Sequence, residues 1–177
     1  MTPRLNIALL IAVLLIGGPF YWFFVENGPY DVAAKPLTMA SLRDLADKRP
    51  GPRPRSIAVE RVATTTRQSN WLAAGTGIAE RPASAMVFRL EIPGAAPVLV
   101  DTGPDRRRAG SDALAGFDAG NQRRVDIAMR ESGLILATGA RVDQLGGLAA
   151  LADQAVADRA MLSQAQVDWA KNAPGYD

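Results

Sequence analysis

Two carboxylates stand where chemistry could be done. Asp101 closes the apolar run of "VLVDTG", and Asp143 lies in "ATGARVDQLGG", residues 137–147. Each follows a stretch that reads as a buried strand, so each falls where a strand gives way to a loop. That is a common place for a side chain that activates water, shares a proton or holds a cation. Such work needs partners, and this chain is short of them. Its 177 residues include no histidine and no cysteine, which removes the commonest metal ligand, the commonest general base and the thiolate nucleophile together. Charge excludes another class. With 20 Lys and Arg against 18 Asp and Glu the net charge is +2, too little for a basic face that neutralises a phosphate backbone, so nucleic acid is not an expected partner.

The elements that must hold the two acids follow from periodicity. "IAVERVA" (57–63) and "AMVFRLEI" (85–92) alternate as half-buried strands, and "PVLVDTG" (97–103) is continuously apolar before its polar end. The last two are predicted to pair across the Pro93-Gly94 turn. Between the first two, residues 64–84 are polar and glycine-containing and read as a long loop near the site, with Trp71 expected to pack as core. A helix is predicted over 121–132, with Val125, Ala128 and Met129 on its apolar face and Gly133 as its stop. "LILA" (134–137) then reads as a short buried strand. Gly146-Gly147 reads as a turn starting a helix over 148–156, where Asp143 would cap the helix or bond loop amides. "RAMLS" (159–163) reads as a strand, and a helix capped by Ser163 follows. Strand and helix in this alternation argue an α/β layered domain with one sizeable core, as the 48% hydrophobic content allows. Arg106, Arg107 and Arg108 read as a solvated loop.

The N-terminus carries a different signal. Leu5–Phe24 is uncharged and close to the roughly 20 residues that cross a hydrocarbon core as a helix. Its end, "FYWFF", suits an interfacial aromatic belt. The run is longer than that of a cleaved signal peptide, and the small-residue site at Val32-Ala33-Ala34 lies far from it, so residues 1–25 read as an uncleaved single-pass signal anchor. Arg4 on the short side keeps the N-terminus cytoplasmic and exports the rest, to the periplasmic side in a bacterium. Residues 26–56 read as a stalk: a short helix with Ser41 as N-cap and Pro50 as its stop, then the Pro/Arg-rich linker "RPGPRPR". Residues 57–177 form the exported domain.

The motifs allow more than one chemistry. Asp-Thr-Gly at 101–103 is similar to the signature of the aspartic proteases, in which two such Asp residues share a proton; with one copy, Asp101 would require a dimer. The larger pattern resembles another family. An apolar strand ending in "VLVDTG", a helix, a second apolar strand and then T-x-x-x-x-D-x-x-G-G resemble the N-terminal half of the metallo-β-lactamase fold superfamily, over about residues 57–166. In that family the loop reads Thr-His-x-His-x-Asp-His-x-Gly-Gly. Thr138, Asp143, Gly146 and Gly147 match, while Gly139, Arg141 and Gln144 stand at the histidine positions.

The resemblance implies a partial αββα sandwich and, in the family, zinc-activated water attacking an ester, amide, lactone or phosphoester. For this chain it implies a lost metal site. Gly139 offers no ligand atom, Gln144 only a neutral carbonyl, and Arg141 a fixed positive charge. Arg141 is expected to pair with Asp143, or with Asp101, and so fill the vacated site. No catalytic residue is assigned beyond the weak candidates Asp101 and Asp143, and no cofactor is expected. The family domain has a second αβ half supplying further ligands, so the chain reads as a truncated product or pseudoenzyme. Its unprotected sheet face would meet that half or another protein. A membrane-anchored, hydrolytically inactive family member is the leading reading. A protein-binding scaffold module and a dimeric aspartic protease using Asp101 are the alternatives.

Overall fold

In a computed structural model of the chain the described residues are 3–26, 36–48, 51–105, 107 and 116–172. Val32-Ala33-Ala34, Pro50, Arg106 and Arg108 lie outside them. The architecture is mixed α/β. An apolar helix α1 (Pro3–Phe20) continues into a wide π turn at Tyr21–Val25, and α2 (Met39–Asp47) follows. Then come β1 (Ser56–Gln68), α3 (Ser69–Leu72), β2 (Glu80–Glu91), β3 (Val98–Val100) and α4 (Ala119–Glu131). The chain continues through β4 (Leu134–Leu136), α5 (Val142–Leu151), α6 (Gln154–Ala157), β5 (Ala160–Met161) and α7 (Gln164–Asn172). The strands form one sheet in the order β1-β2-β3-β4-β5. The chain divides into two compact units, one of Met1–Asp44 with Thr66–Pro82 and one of Leu45–Thr65 with Ala83–Asp177.

The second unit holds the core. β2 and β3 pair antiparallel, Phe88 facing Val100 and Leu90 facing Val98, across the predicted Pro93-Gly94 turn, where Gly94 takes φ 73°. β3 and β4 run parallel, as do β4 and β5, so a helical crossover joins each pair. Alternation along the strands assigns each face. Val87, Leu99 and Ile135 point to one side and bury with Val125, Ala128 and Met129 of α4 and Val156 of α6. Residues on the other side, Phe88, Leu90, Val98, Val100, Leu134 and Leu136, are only half-buried, and Met161 is 65% exposed. The sheet therefore has one packed face and one apolar face without comparable cover.

Several sequence expectations need correction. Residues 64–84 are not a long loop: β1 runs on to Gln68 and β2 begins at Glu80. Polar strand ends of this kind, wet on both faces, lack the alternation that betrays a half-buried strand. Trp71 is not core but 81% exposed. The cap of α2 is Thr38, whose Oγ1 accepts from Ser41 N–H at 3.1 Å while Ser41 Oγ accepts from Thr38 N–H at 3.1 Å. Gly133 is not the stop of α4, whose C-cap is Ser132 in extended conformation. Gly133 is small because a Cβ there would lie 2.9 Å from Ala96 Cβ. Asp118, unremarked in the sequence, caps the start of α4 by accepting from Gly120 and Asn121 N–H.

Candidate functional site

The loop at the heart of the sequence reading lies within the second unit and is built from three chain segments. β3 ends at Val100 and the backbone turns sharply at Asp101, which takes φ 63°, a left-handed conformation that Asp tolerates better than most side chains. Its carboxylate is thereby aimed across the ends of the parallel strands. Asp101 is 6% exposed. Its Oδ1 accepts from Thr138 N–H at 2.7 Å, and the Thr138 hydroxyl lies 3.0 and 2.8 Å from Oδ1 and Oδ2. Thr138 in turn accepts from Gln144 Nε2 at 2.9 Å. Gln144 amide to Thr138 hydroxyl to Asp101 carboxylate is a complete relay of donors and acceptors. The Asp101 side chain thus clasps β3 to the loop after β4.

The glycine pair is not a turn. Helix α5 begins at Val142, six residues earlier than the 148 start read from the sequence, so Gly146 and Gly147 lie inside it. It ends at Leu151, where Ala152 turns left-handed at φ 48°, and Val156 belongs to the separate α6. The glycines are there for contact. A Cβ at Gly146 would lie 2.6 Å from Asp105 N and 3.1 Å from Pro104 Cα, and one at Gly147 would strike the Thr102 carbonyl. Close approach lets Gly147 N–H donate to Gly103 O at 2.8 Å and Leu148 N–H to Thr102 Oγ1 at 3.1 Å. Thr102, fully buried, returns its N–H and hydroxyl to Gln144 O at 2.8 and 2.9 Å. The segment 101–105 and the first turns of α5 are thus laced together through backbone.

Asp143 sits in the first turn of α5 rather than capping a helix near Gly147, and the N-cap is Arg141, whose side chain makes no capping bond. A carboxylate in a first turn is favoured by the helix dipole. Arg141 pairs with Asp143 in the expected manner, bidentate, with Nε to Oδ1 at 3.0 Å and Nη2 to Oδ2 at 3.2 Å. The expectation that this pair fills a vacated site is overturned: the Arg141 side chain is 73% exposed and Asp143 30%, so the pair rides on the surface. The interior space is taken by Gln144. Its Oε1 is buried without a hydrogen-bond partner and lies where a side chain at 139 would go, 2.5 Å from the position of a Cβ on Gly139.

Three further residues shape the site without having been singled out. Gln166 is 8% exposed; its Nε2 donates to Ala137 O at 2.8 Å and reaches Gly139 O at 3.4 Å, while its Oε1 accepts from Ser163 N–H at 2.7 Å. The pattern Ser163-x-x-Gln166 is a capping box, legible in the sequence, and it fastens α7 to the loop. Gln122 donates to Thr102 O and Asp126 Oδ1 at 3.2 and 3.0 Å. Asp105, 8% exposed, accepts from Arg107 N–H at 3.0 Å.

The donor set does not fit a metal. Asp143 is committed to Arg141, Asp101 to Thr138, and Gln144 turns its amide nitrogen toward Thr138. Among the described residues no three His, Cys, Asp or Glu side chains are placed to hold a cation. Two grooves among the described residues, of about 330 and 340 Å³, lie elsewhere in the unit. One is floored by Val87, Leu99 and Ala128, the other lies between α5 and α7, and neither is lined by Asp101, Thr138 or Asp143.

No family model matches the sequence, and no curated protein matches it either. Among solved structures, the chain is similar to a quorum-quenching N-acyl homoserine lactone lactonase, at 18% identity and TM-score 0.46, over 56% of this chain and 43% of that one. It is also similar to a mutant of AiiA from B. thuringiensis with N-decanoyl-L-homoserine bound at the active site. There the values are 14% identity and TM-score 0.42, over 57% of this chain and 47% of the other. The chain thus spans less than half the length of the solved structures it resembles.

Proposed function

We propose that this chain is a membrane-anchored member of the metallo-β-lactamase-fold hydrolase group that has lost its metal site and is hydrolytically inactive. The relay from Gln144 through Thr138 to Asp101 carries the reading. The loop around it has the Thr138, Asp143 and Gly146-Gly147 of the family pattern, while the three histidine positions hold a glycine, an exposed arginine and a glutamine bonded inward. In this layout residues 1–25 anchor the chain, 26–56 form a short helix and linker, and 57–177 form the domain on the exported, periplasmic side. Support for the anchor is the helix Pro3–Val25, 23 residues of mean hydropathy 2.2 with none of its hydrophobic span buried.

The test is zinc content. Full-length protein purified in detergent should carry no stoichiometric zinc, whereas the combined Gly139→His, Arg141→His and Gln144→His variant should gain zinc affinity around Asp143. Stoichiometric zinc in the parent overturns the inactive reading. A folded triple variant with no gain overturns the loop assignment. Gly139→His alone should gain nothing, because its side chain meets Gln144 Oε1.

The half-buried apolar sheet face favours a second reading, a scaffold that binds a protein or a further αβ half. Phe88, Val100, Leu136 and Met161 lie side by side across four strands, by the observed register. An apolar row of this kind, if covered, buries as a domain core does.

A further inference from the structure

The exposed Trp71 asks for an account. It belongs to the first unit, where the turn between β1 and β2 meets the end of α1. The turn is tightly built. Ser69, 6% exposed, donates through Oγ to Thr76 O and Gly77 O at 2.9 Å, its N–H donates to Ala79 O at 2.8 Å, and Asn70 N–H donates to Gly77 O at 2.9 Å. Gly75 and Gly77 take φ 77° and 82°, which closes the turn. A compact turn with a buried serine at its base holds outward three large apolar side chains, Trp71, Leu72 and Ile78, exposed by 81%, 54% and 55%. Nothing in the turn's own hydrogen bonding requires them.

The same turn is attached to the apolar helix. Gly77 N–H donates to Phe23 O at 2.8 Å, and a Cβ on Gly77 would lie 3.1 Å from the Phe24 ring. Carbonyls in the last turn of a helix have no partner within it, and at the edge of a hydrocarbon layer an unmet carbonyl is costly. Gly77 supplies that partner for Phe23. The attachment point falls in Tyr21-Trp22-Phe23-Phe24, the aromatic end of the span, which is the composition of a membrane–water interface. Arg67 and Arg81, both exposed, flank the turn and suit an anionic or zwitterionic headgroup layer.

We propose that the turn Ser69–Ala79 is a second membrane contact, with Trp71, Leu72 and Ile78 inserted in the interface of the same bilayer that α1 crosses. This rests on the reading of α1 as an anchor. The Phe23–Gly77 bond sets the depth of the turn, and it holds the apolar side chains beside the aromatic end of the span. One consequence is that the hairpin is held at the membrane at two points, the span and the Trp71 turn.

The chain has three tryptophans, Trp22, Trp71 and Trp169, so two substitutions isolate each. Full-length protein carrying Trp22→Phe and Trp169→Phe is reconstituted into phosphatidylcholine–phosphatidylglycerol vesicles, with and without brominated acyl chains. Trp71 should show blue-shifted emission, lose most of its intensity to the brominated lipid and resist aqueous iodide. A companion carrying Trp71→Phe and Trp169→Phe reports Trp22 at the end of the span. If Trp22 is quenched by bromine while Trp71 is quenched only by iodide, the turn stays in water and the proposal fails while the anchor stands. If Trp71 is shielded from both quenchers, a protein surface covers it and the proposal also fails. If neither tryptophan meets brominated lipid, the anchor reading falls and takes this one with it.

Discussion

Gly146→Ala separates a glycine needed for close packing from one needed for a turn. In a helix interior, alanine for glycine gains about 1 kcal/mol from backbone entropy, so an unconstrained site would be stabilised. Gly146 is constrained: the new Cβ would lie 2.6 Å from Asp105 N and 3.1 Å from both Pro104 Cα and Pro104 C, all backbone atoms. Ordinary contact begins near 3.4 Å, so the 102–105 segment must retreat from α5 by the difference. That movement lengthens the bonds from Gly147 N–H to Gly103 O and from Leu148 N–H to Thr102 Oγ1, now 2.8 and 3.1 Å. Overpacking of this kind costs about 1–3 kcal/mol. After the helical gain and with the weakened bonds added, the net loss is about 1–2 kcal/mol, a fall of about 4–8 °C in Tm for a domain of this size. Thermal unfolding followed by circular dichroism in detergent measures it. Gly120→Ala is the control: its Cβ would meet only the ends of the Asp118 and Arg123 side chains, at 3.1 and 3.8 Å, so Tm should hold or rise. Equal or higher Tm for Gly146→Ala would refute the close-packing account.

Two other perturbations probe the same frame. Thr138→Val removes the hydroxyl between Gln144 and a carboxylate that is 6% exposed, and should lower stability by about 1–3 kcal/mol in urea titrations, whereas Thr138→Ser should retain most of it. At Asp118, hydrogen bonds from Asn121 and then Gly120 N–H, with Arg124 and Arg123 nearby, hold the carboxyl below its ordinary value of 3.8. A depressed folded-state pKa contributes stability that is fully present above the unfolded value and is lost as pH falls through the folded one. Asp118→Asn keeps a good N-cap but should flatten the acid limb of the urea midpoint against pH, the two proteins converging at low pH.

What the sequence made legible was whatever is decided locally. The β2–β3 pairing follows from alternation on either side of Pro93-Gly94, and the buried face of α4 from the spacing of Val125, Ala128 and Met129. What it concealed was decided by neighbours distant in the chain. Gly146 and Gly147 look like helix breakers because glycine is a poor helix former. Their reason for being glycine is the backbone of residues 102–105, about forty positions earlier. Trp71 looks like core because large aromatics usually are; its exposure follows from a turn whose contacts run to Phe23. The Arg141–Asp143 pair was readable from spacing, whereas its place on the surface depended on where α5 begins.

The bonds that hold the candidate loop make its shape independent of the side chains at 139, 141 and 144. A loop that holds a metal is fixed partly through the metal. Here the loop is fixed by backbone groups and by side chains other than those at 139, 141 and 144. Thr102 binds the Gln144 carbonyl, Gly147 N–H binds Gly103 O, Gln166 binds the carbonyls of Ala137 and Gly139, and Asp101 binds the Thr138 amide. Of these bonds, none uses a side chain at 139, 141 or 144. The relay through the Gln144 amide adds to this lacing but does not replace it. Side chains at those three positions stand outside this lacing, and Thr138→Val measures what the Gln144 relay adds to it. The exposed Arg141–Asp143 pair, worth at most about 1 kcal/mol by its exposure, is then the smaller obstacle to a cation. The larger one is the inward Gln144, which occupies the space beside Gly139 and must leave before a side chain can enter there.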